Sequence, residues 1–271
     1  MSILLNDILQ FNNLDIVKLR FNLRFADNKV AAIDYFVCGR KNEMLDGHYW
    51  NDTRNGNYKT GDITLGFVPI PQRKDCWLLF HVGQVTADLN IRKGVGYEFI
   101  DLPAYSKYVG RVIIRFHNGS RKLIRKAKTT ISQCLIEEIL SQSYSGDAFP
   151  GYENVNVSWH MLKYLITTVS WKTALANQKG VYLLIDRRNG KKYIGSAYGQ
   201  DKLLSRWENY IKTCHGNNSK LKKLDVDDIK DNFHFSIIET FNANVSDQII
   251  IERETYWKDV LMTRKFGYND N

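Results

Sequence analysis

The chain of 271 residues, 44% hydrophobic and 13% aromatic, has the length and apolar content of one large or two modest folded domains, which excludes a disordered chain. Its 38 Lys and Arg against 29 Asp and Glu leave a net charge of +9, a balance that favours polyanionic partners such as nucleic acid. No run approaches the roughly eighteen apolar residues of a membrane span, and the opening MSILLNDILQFNNLDIVKLRF lacks the charged start and unbroken apolar stretch of a signal peptide, so a cytoplasmic protein without a membrane partner is expected.

Residues 1–150 read as a β-rich, mixed domain. The runs ITLGFVPI, CWLLFHVGQV, VGYEFIDL and VGRVIIRF are short, alternating or β-branched, and separated by Gly, Asn and Pro, as strands are. The clear helix candidate in this half is TTISQCLIEEILSQS, where Ile131, Leu135, Ile139 and Leu140 recur at helical spacing behind Thr130 as N-cap. No carboxylate occurs between Asp101 and Glu137, whereas Lys107, Arg111, Arg115, Arg121, Lys122, Arg125, Lys126 and Lys128 do. That one-signed segment, interleaved with Tyr105, Tyr108 and Phe116, suits contact with a phosphate backbone, although charge runs are as often only a solvated face. The aromatics around Trp77, Tyr97 and Phe99 could line a pocket for a flipped or modified base, and equally fit an ordinary core.

SYSGDAFPGYENVNVS turns to Ser, Gly, Pro and Asn and marks a domain junction, and WHMLKYLITTVS is a helix in the segment 151–177. GVYLLID and KKYIGSA then form a hairpin across RRNG, whose Asn189-Gly190 pair signals a two-residue turn. LLSRWENYIKT is a helix, CHGNNSKLKKL a polar loop, and FHFSIIETF a third strand. VSDQIIIERETYWKDVLM is a long amphipathic helix with Ser246 placed to cap it. Cys38, Cys76, Cys134 and Cys214 show no CxxC pair and no zinc-like spacing, so they read as reduced structural thiols.

Gly180-Val181-Tyr182, then Tyr193-Ile194-Gly195 across the hairpin, an Arg on the next helix, a Glu on a later helix and a terminal Asn together resemble the GIY-YIG nuclease signature, over about residues 178–271. The phrases GSAYG, RWENY, TCHGNN, YWKDVLMTRKFGYNDN and FPGYENV resemble a bacterial group of such proteins that carry an uncharacterised N-terminal region. The resemblance implies an α/β (α+β) chain. Its C-terminal domain, 178–271, would hold a three-stranded antiparallel sheet flanked by helices, and residues 1–150 would choose the substrate. It implies metal-dependent hydrolysis of double-stranded DNA, with a restriction or defence role. A structure-specific nickase and a non-cleaving DNA binder on the same scaffold are the rivals.

The residues carry their own chemical logic. Tyr182 and Tyr193, on paired strands, converge on one phosphate if they share a face, yet a free phenol with a pKa near ~10 is a poor base unless a cation lowers it. Arg206 and Tyr210 stand at i and i+4 and project together; a guanidinium that keeps its proton suits the charge building on a phosphoryl transition state. By resemblance, Tyr210 helps to handle the proton of the nucleophile, and Tyr182 is the competing choice. Ile250, Glu254, Trp257 and Leu261 follow one helical stripe, with Glu252 nearly opposite, so Glu254 faces inward. A carboxylate there needs a partner. Binding one Mg2+ or Mn2+ per site is the functional reading, and an ion pair with a Lys or Arg the structural one. Asn269 matches the family's closing Asn by resemblance, with Asn271 as its competitor. Lys192, His215 and Asn217 are candidates for substrate contact whose ordinary reading is solvated loop polarity. A double-strand cutter with one site per chain needs two chains or two visits, so a homodimer is one expected arrangement.

Overall fold

Residues 2–25, 31–52, 56–71, 73–119, 122–199 and 202–270 are described in this computed structural model. Contacts divide the chain into two units, 1–145 and 146–271.

In the first unit the apolar runs become strands β1 (Val17–Phe21), β2 (Trp50–Asn51), β3 (Ile63–Pro69), β4 (Cys76–Asp88), β5 (Gly94–Val95), β6 (Tyr97–Asp101), β7 (Val112–Arg115), β8 (Ile124–Lys126) and β9 (Leu135–Ile139). The main sheet runs β8-β1-β3-β4-β7-β9, with β6 also on β4, while β2 and β5 form a separate ribbon. Only β1 and β3 are parallel among these pairings. Both faces are covered, which explains why the central strands are apolar at successive positions. Leu19, Phe21, Leu65, Phe67, Leu79 and Ile114 pack with Leu5 and Leu9 of helix α1 (Leu5–Leu9). Val68, Leu78, Phe80 and Ile113 pack with Ile33 and Tyr35 of α2 (Ala32–Val37) and Met44 of α3 (Lys41–His48). These short helices carry no sequence signal strong enough to announce them.

The helix expected over TTISQCLIEEILSQS is absent. A single turn, α4 (Ala127–Thr130), and a 3-10 turn at Ile131–Gln133 precede edge strand β9, antiparallel to β7. The spacing that suggested a helix also fits a strand, and cross-strand partners decide. Ile136 packs on the core, Arg115 takes Glu137 in a two-pronged pair, and Arg73 takes Glu138. Trp77 and Tyr97 are buried core residues, and Phe99 stacks on Tyr49 at 4.0 Å. The cysteines are free.

The second unit is built on a wholly antiparallel sheet in the order β10-β13-β11-β12. Its strands are β10 (Asn156–Ser158), β11 (Lys179–Asp186), β12 (Lys192–Ala197) and β13 (Phe233–Phe241), so the expected three strands gain a short fourth. The hairpin loop is longer than Asn189-Gly190 alone suggested. It spans residues 187–190, and only Gly190 of these takes a positive φ, 73°. The Asp186 carboxylate shapes it, accepting from the Arg188 N–H at 3.0 Å and the Asn189 amide at 3.1 Å.

The helix at WHMLKYLITTVS breaks into α5 (Trp159–Leu165) and α6 (Val169–Ala176). Thr167 and Thr168 turn their hydroxyls onto the carbonyls of Tyr164 and Leu165, which ends the first helix. Then come α7 (Lys202–Thr213), α8 (Val226–Asn232), α9 (Asp247–Val260) and α10 (Thr263–Phe266). Asp225 caps α8 through the N–H groups of Asp227 and Asp228. Ser246 occupies the N-cap of α9, but its hydroxyl makes no capping bond. On one sheet face Val181, Leu183 and Ile194 pack on Ile250, Trp257 and Leu261 around α9. Tyr182 and Phe235 meet Trp207 and Tyr210 of α7. No helix among the described residues is long and apolar enough to cross a membrane.

Candidate active site

The register pairs Tyr182 with Gly195 and Leu184 with Tyr193. Tyr182 and Tyr193 are therefore diagonal neighbours on one face, their rings 6.5 Å apart. Gly195 makes this possible, since a Cβ there would lie 2.5 Å from the Tyr182 Cζ. Tyr210 joins from α7, its ring 6.0 Å from Tyr182 and 6.3 Å from Tyr193. Its hydroxyl is 3.3 Å from that of Tyr182. Gly216, at φ +54°, gives Tyr210 the same kind of clearance, because a Cβ would stand 2.7 Å from its Cδ1.

Strand β12 lies at the edge of the sheet, so groups from both faces meet around it. Arg206, exposed on α7, donates from Nε to the Ser196 carbonyl at 3.3 Å. The Ser196 hydroxyl donates to Glu254 Oε2, and Lys258 Nζ lies 2.9 Å from Glu254 Oε1. Ser196 thus ties the guanidinium and the carboxylate to one strand position. Glu252 is exposed and bonded to Gln248, so the inward assignment of Glu254 matches the fold. Asn269, buried near the end of the chain, accepts from the Ile194 N–H at 2.9 Å and donates to the Ile194 carbonyl at 2.8 Å. Asn271 and Arg121 lie outside the described residues.

Burial pushes the phenols of Tyr182, Tyr193 and Tyr210 upward, that of Tyr210 well above the ordinary value. At neutral pH all three are therefore neutral hydroxyls. The Arg206 charge opposes this for Tyr182 and Tyr193. Tyr182 and Tyr210 are sealed in the core, which leaves Tyr193, half-buried, as the phenol nearest to solvent.

Other candidates stand apart or are differently engaged. Lys192 turns its ammonium onto the Gly190 carbonyl at 3.0 Å, and His215 accepts from the Asn217 N–H at 3.0 Å. In the first unit Lys107 and Lys126 are exposed, Lys107 with its ammonium over the Tyr108 ring. Lys122 is exposed as well. Arg111 spends its guanidinium on the carbonyls of Leu140 and Lys107, Arg125 bonds Asn118, and Lys128 pairs with Asp15. Carboxylates distant in sequence therefore offset part of the one-signed segment. Ser196 and Lys258 are the site residues that sequence reasoning missed. Lys258 was detectable in principle, one helical turn after Glu254 on the same stripe.

A metal is the remaining ingredient. Among the described residues no group of three or more His, Cys, Asp or Glu gathers, which disfavours a closed structural site. One partly buried carboxylate beside a hydroxyl does suit a hard divalent cation completed by water and phosphate oxygens.

Residues 178–269 match the family model described as the GIY-YIG catalytic domain. Two solved structures are similar: the catalytic domain of the homing endonuclease I-TevI and a mutant form of the same domain of that intron endonuclease. The first is 30% identical, covering 34% of this chain and 96% of that one with a TM-score of 0.28. The second is 28% identical, covering 35% and 94% with a TM-score of 0.29. No curated protein matches.

Proposed function

Since this chain belongs to the GIY-YIG family through residues 178–269, we propose that it is a divalent-metal-dependent DNA endonuclease. The observation that carries this reading is the gathering of Tyr182, Tyr193, Tyr210, Arg206 and Glu254 about a single edge strand. In the reaction a water oxygen forms the new bond to phosphorus. The bond to one sugar oxygen breaks with its electron pair, and that oxygen takes up a proton, so a diester and water give a monoester and an alcohol. Arg206 balances the charge that grows on the non-bridging oxygens. Tyr193, the least buried of the three phenols, faces the phosphate and the attacking water, and the Tyr182–Tyr210 hydroxyl pair sealed behind it fixes its position. Glu254, with Ser196 beside it, would hold Mg2+ or Mn2+, which when bound supplies Lewis-acid charge at the scissile phosphate.

The proposed substrate is double-stranded DNA, chosen by the first unit, whose exposed Lys107, Lys122 and Lys126 suit backbone contacts. The proposed use is restriction or other defence against foreign DNA, in the cytoplasm. Double-strand cutting would take a homodimer or two successive visits.

Plasmid incubated with Mg2+ or Mn2+ tests the reading. Linear or fragmented product is expected from the native chain. A rate at least about 100-fold lower is expected from Arg206→Ala, by analogy with loss of a transition-state donor, and from Glu254→Ala. Open circles alone would mean a nickase. DNA that is shifted but intact would mean a binder. Sequencing the ends cut from modified and unmodified DNA reads what the first unit selects.

A further inference from the structure

The Glu254 carboxylate already has a cation. Helix α9 sets Lys258 one turn after Glu254, with their side chains only 8% and 15% exposed, and the ammonium lies 2.9 Å from Oε1 while the Ser196 hydroxyl holds Oε2. Both carboxylate oxygens are thus engaged. We propose that Lys258 is a resident counter-ion for Glu254 which an arriving divalent metal must displace, so that the metal binds weakly until DNA brings its own negative charge to the site. This rests on the reading of Glu254 as the metal ligand.

The charges argue for it. Arg206 and Lys258 against Glu254 leave the site one positive charge in excess before any metal is added. A divalent ion would raise that to three, and water screens the Lys258 ammonium poorly because its side chain is only 8% exposed. A phosphodiester oxygen relieves the excess by one. An ammonium on a buried stem also loses much if it leaves its carboxylate with nothing to replace it. Metal and DNA should therefore favour one another's binding, and by linkage the coupling runs equally in both directions.

Mn2+ binding to the DNA-free full-length protein, followed by the paramagnetic resonance signal of free Mn2+, separates the outcomes without any cleavage assay. Lys258→Met is expected to bind Mn2+ on the order of tenfold more tightly than the native chain, once one repelling charge is gone. Lys258→Gln, which keeps a hydrogen-bond donor, should move in the same direction and guards against a packing failure in the first variant. Lys258→Arg should stay at the native affinity. Affinity that depends on Glu254 but is unchanged or weaker in both neutral variants overturns the proposal and leaves the metal site standing. Binding indifferent to Glu254→Gln in every background overturns the metal assignment itself, and the proposal with it.

Discussion

Substituting Gly195 by Ala tests the argument that this position is glycine because of what faces it. The added Cβ would sit 2.5 Å from Tyr182 Cζ and 2.9 Å from its Cε2, against a ring that is fully buried. Because Tyr182 is enclosed by Trp207 and Tyr210, the ring has no vacant space to enter. Either the ring or strand β12 must move. Overpacking of this kind costs about 1–3 kcal/mol, and the displacement shifts the hydroxyl now 3.3 Å from that of Tyr210. Urea unfolding of the native chain, Gly195→Ala, Tyr182→Ala and the double variant gives the coupling. Tyr182→Ala alone should cost roughly 3–5 kcal/mol as a core truncation. The double variant should cost at least ~1 kcal/mol less than the sum, since the methyl then enters the space the ring vacated. Plasmid cleavage by Gly195→Ala should fall at least about tenfold, because misplacement by an ångström costs that much or more. Stability within ~0.5 kcal/mol of native with full cleavage, or strict additivity in the double variant, would refute the reasoning.

Asn269→Ala removes the side chain that satisfies both backbone groups of Ile194. Each buried group left without a partner costs ~1–3 kcal/mol, so a total of about 2–4 kcal/mol is expected by urea unfolding, with cleavage lost as β12 loosens. An unfolding midpoint equal to native would exclude this anchoring role. In the first unit burial holds the His81 imidazole down at about 4, against the pull of Asp101, and holds His48 well below its usual range. The unfolded chain takes up a proton at His81 near pH ~6.5 and the folded chain only near 4, so this contribution is complete above 6.5 and is lost as the pH falls through that window, by roughly 3 kcal/mol for His81. Urea midpoints between pH 7 and pH 4.5 should fall less steeply for His81→Gln than for the native chain, and parallel curves would contradict the assignment.

The second unit is more legible in the sequence than the first, for physical reasons. Tyr182 and Tyr193 could be placed on one face because strand periodicity and a hairpin turn fix parity. The true loop, 187–190, shifts the register but preserves which face each side chain takes. Glu254 was separable from Glu252 because a helix sorts residues by angle. Ser196 and Lys258 were invisible as site members because their roles are set by partners across the fold. The same holds for β9, whose Leu135 and Ile139 continue a helical period from Ile131, while its state is decided by Arg115 on β7 and Arg73 in the turn between β3 and β4. Helices α1 to α3 are short and owe their existence to sheet faces that need covering, which no local pattern announces.

The outer rim of β12 is where a strand from another molecule would ordinarily add itself, since an unpaired rim offers a ready row of donors and acceptors. At Ile194 that opportunity is closed by an amide from the same chain, which imitates one rung of a neighbouring strand, and the Tyr268 N–H donates to the Lys192 carbonyl beside it at 2.8 Å. A plug of this kind guards that rim against strand addition from another molecule.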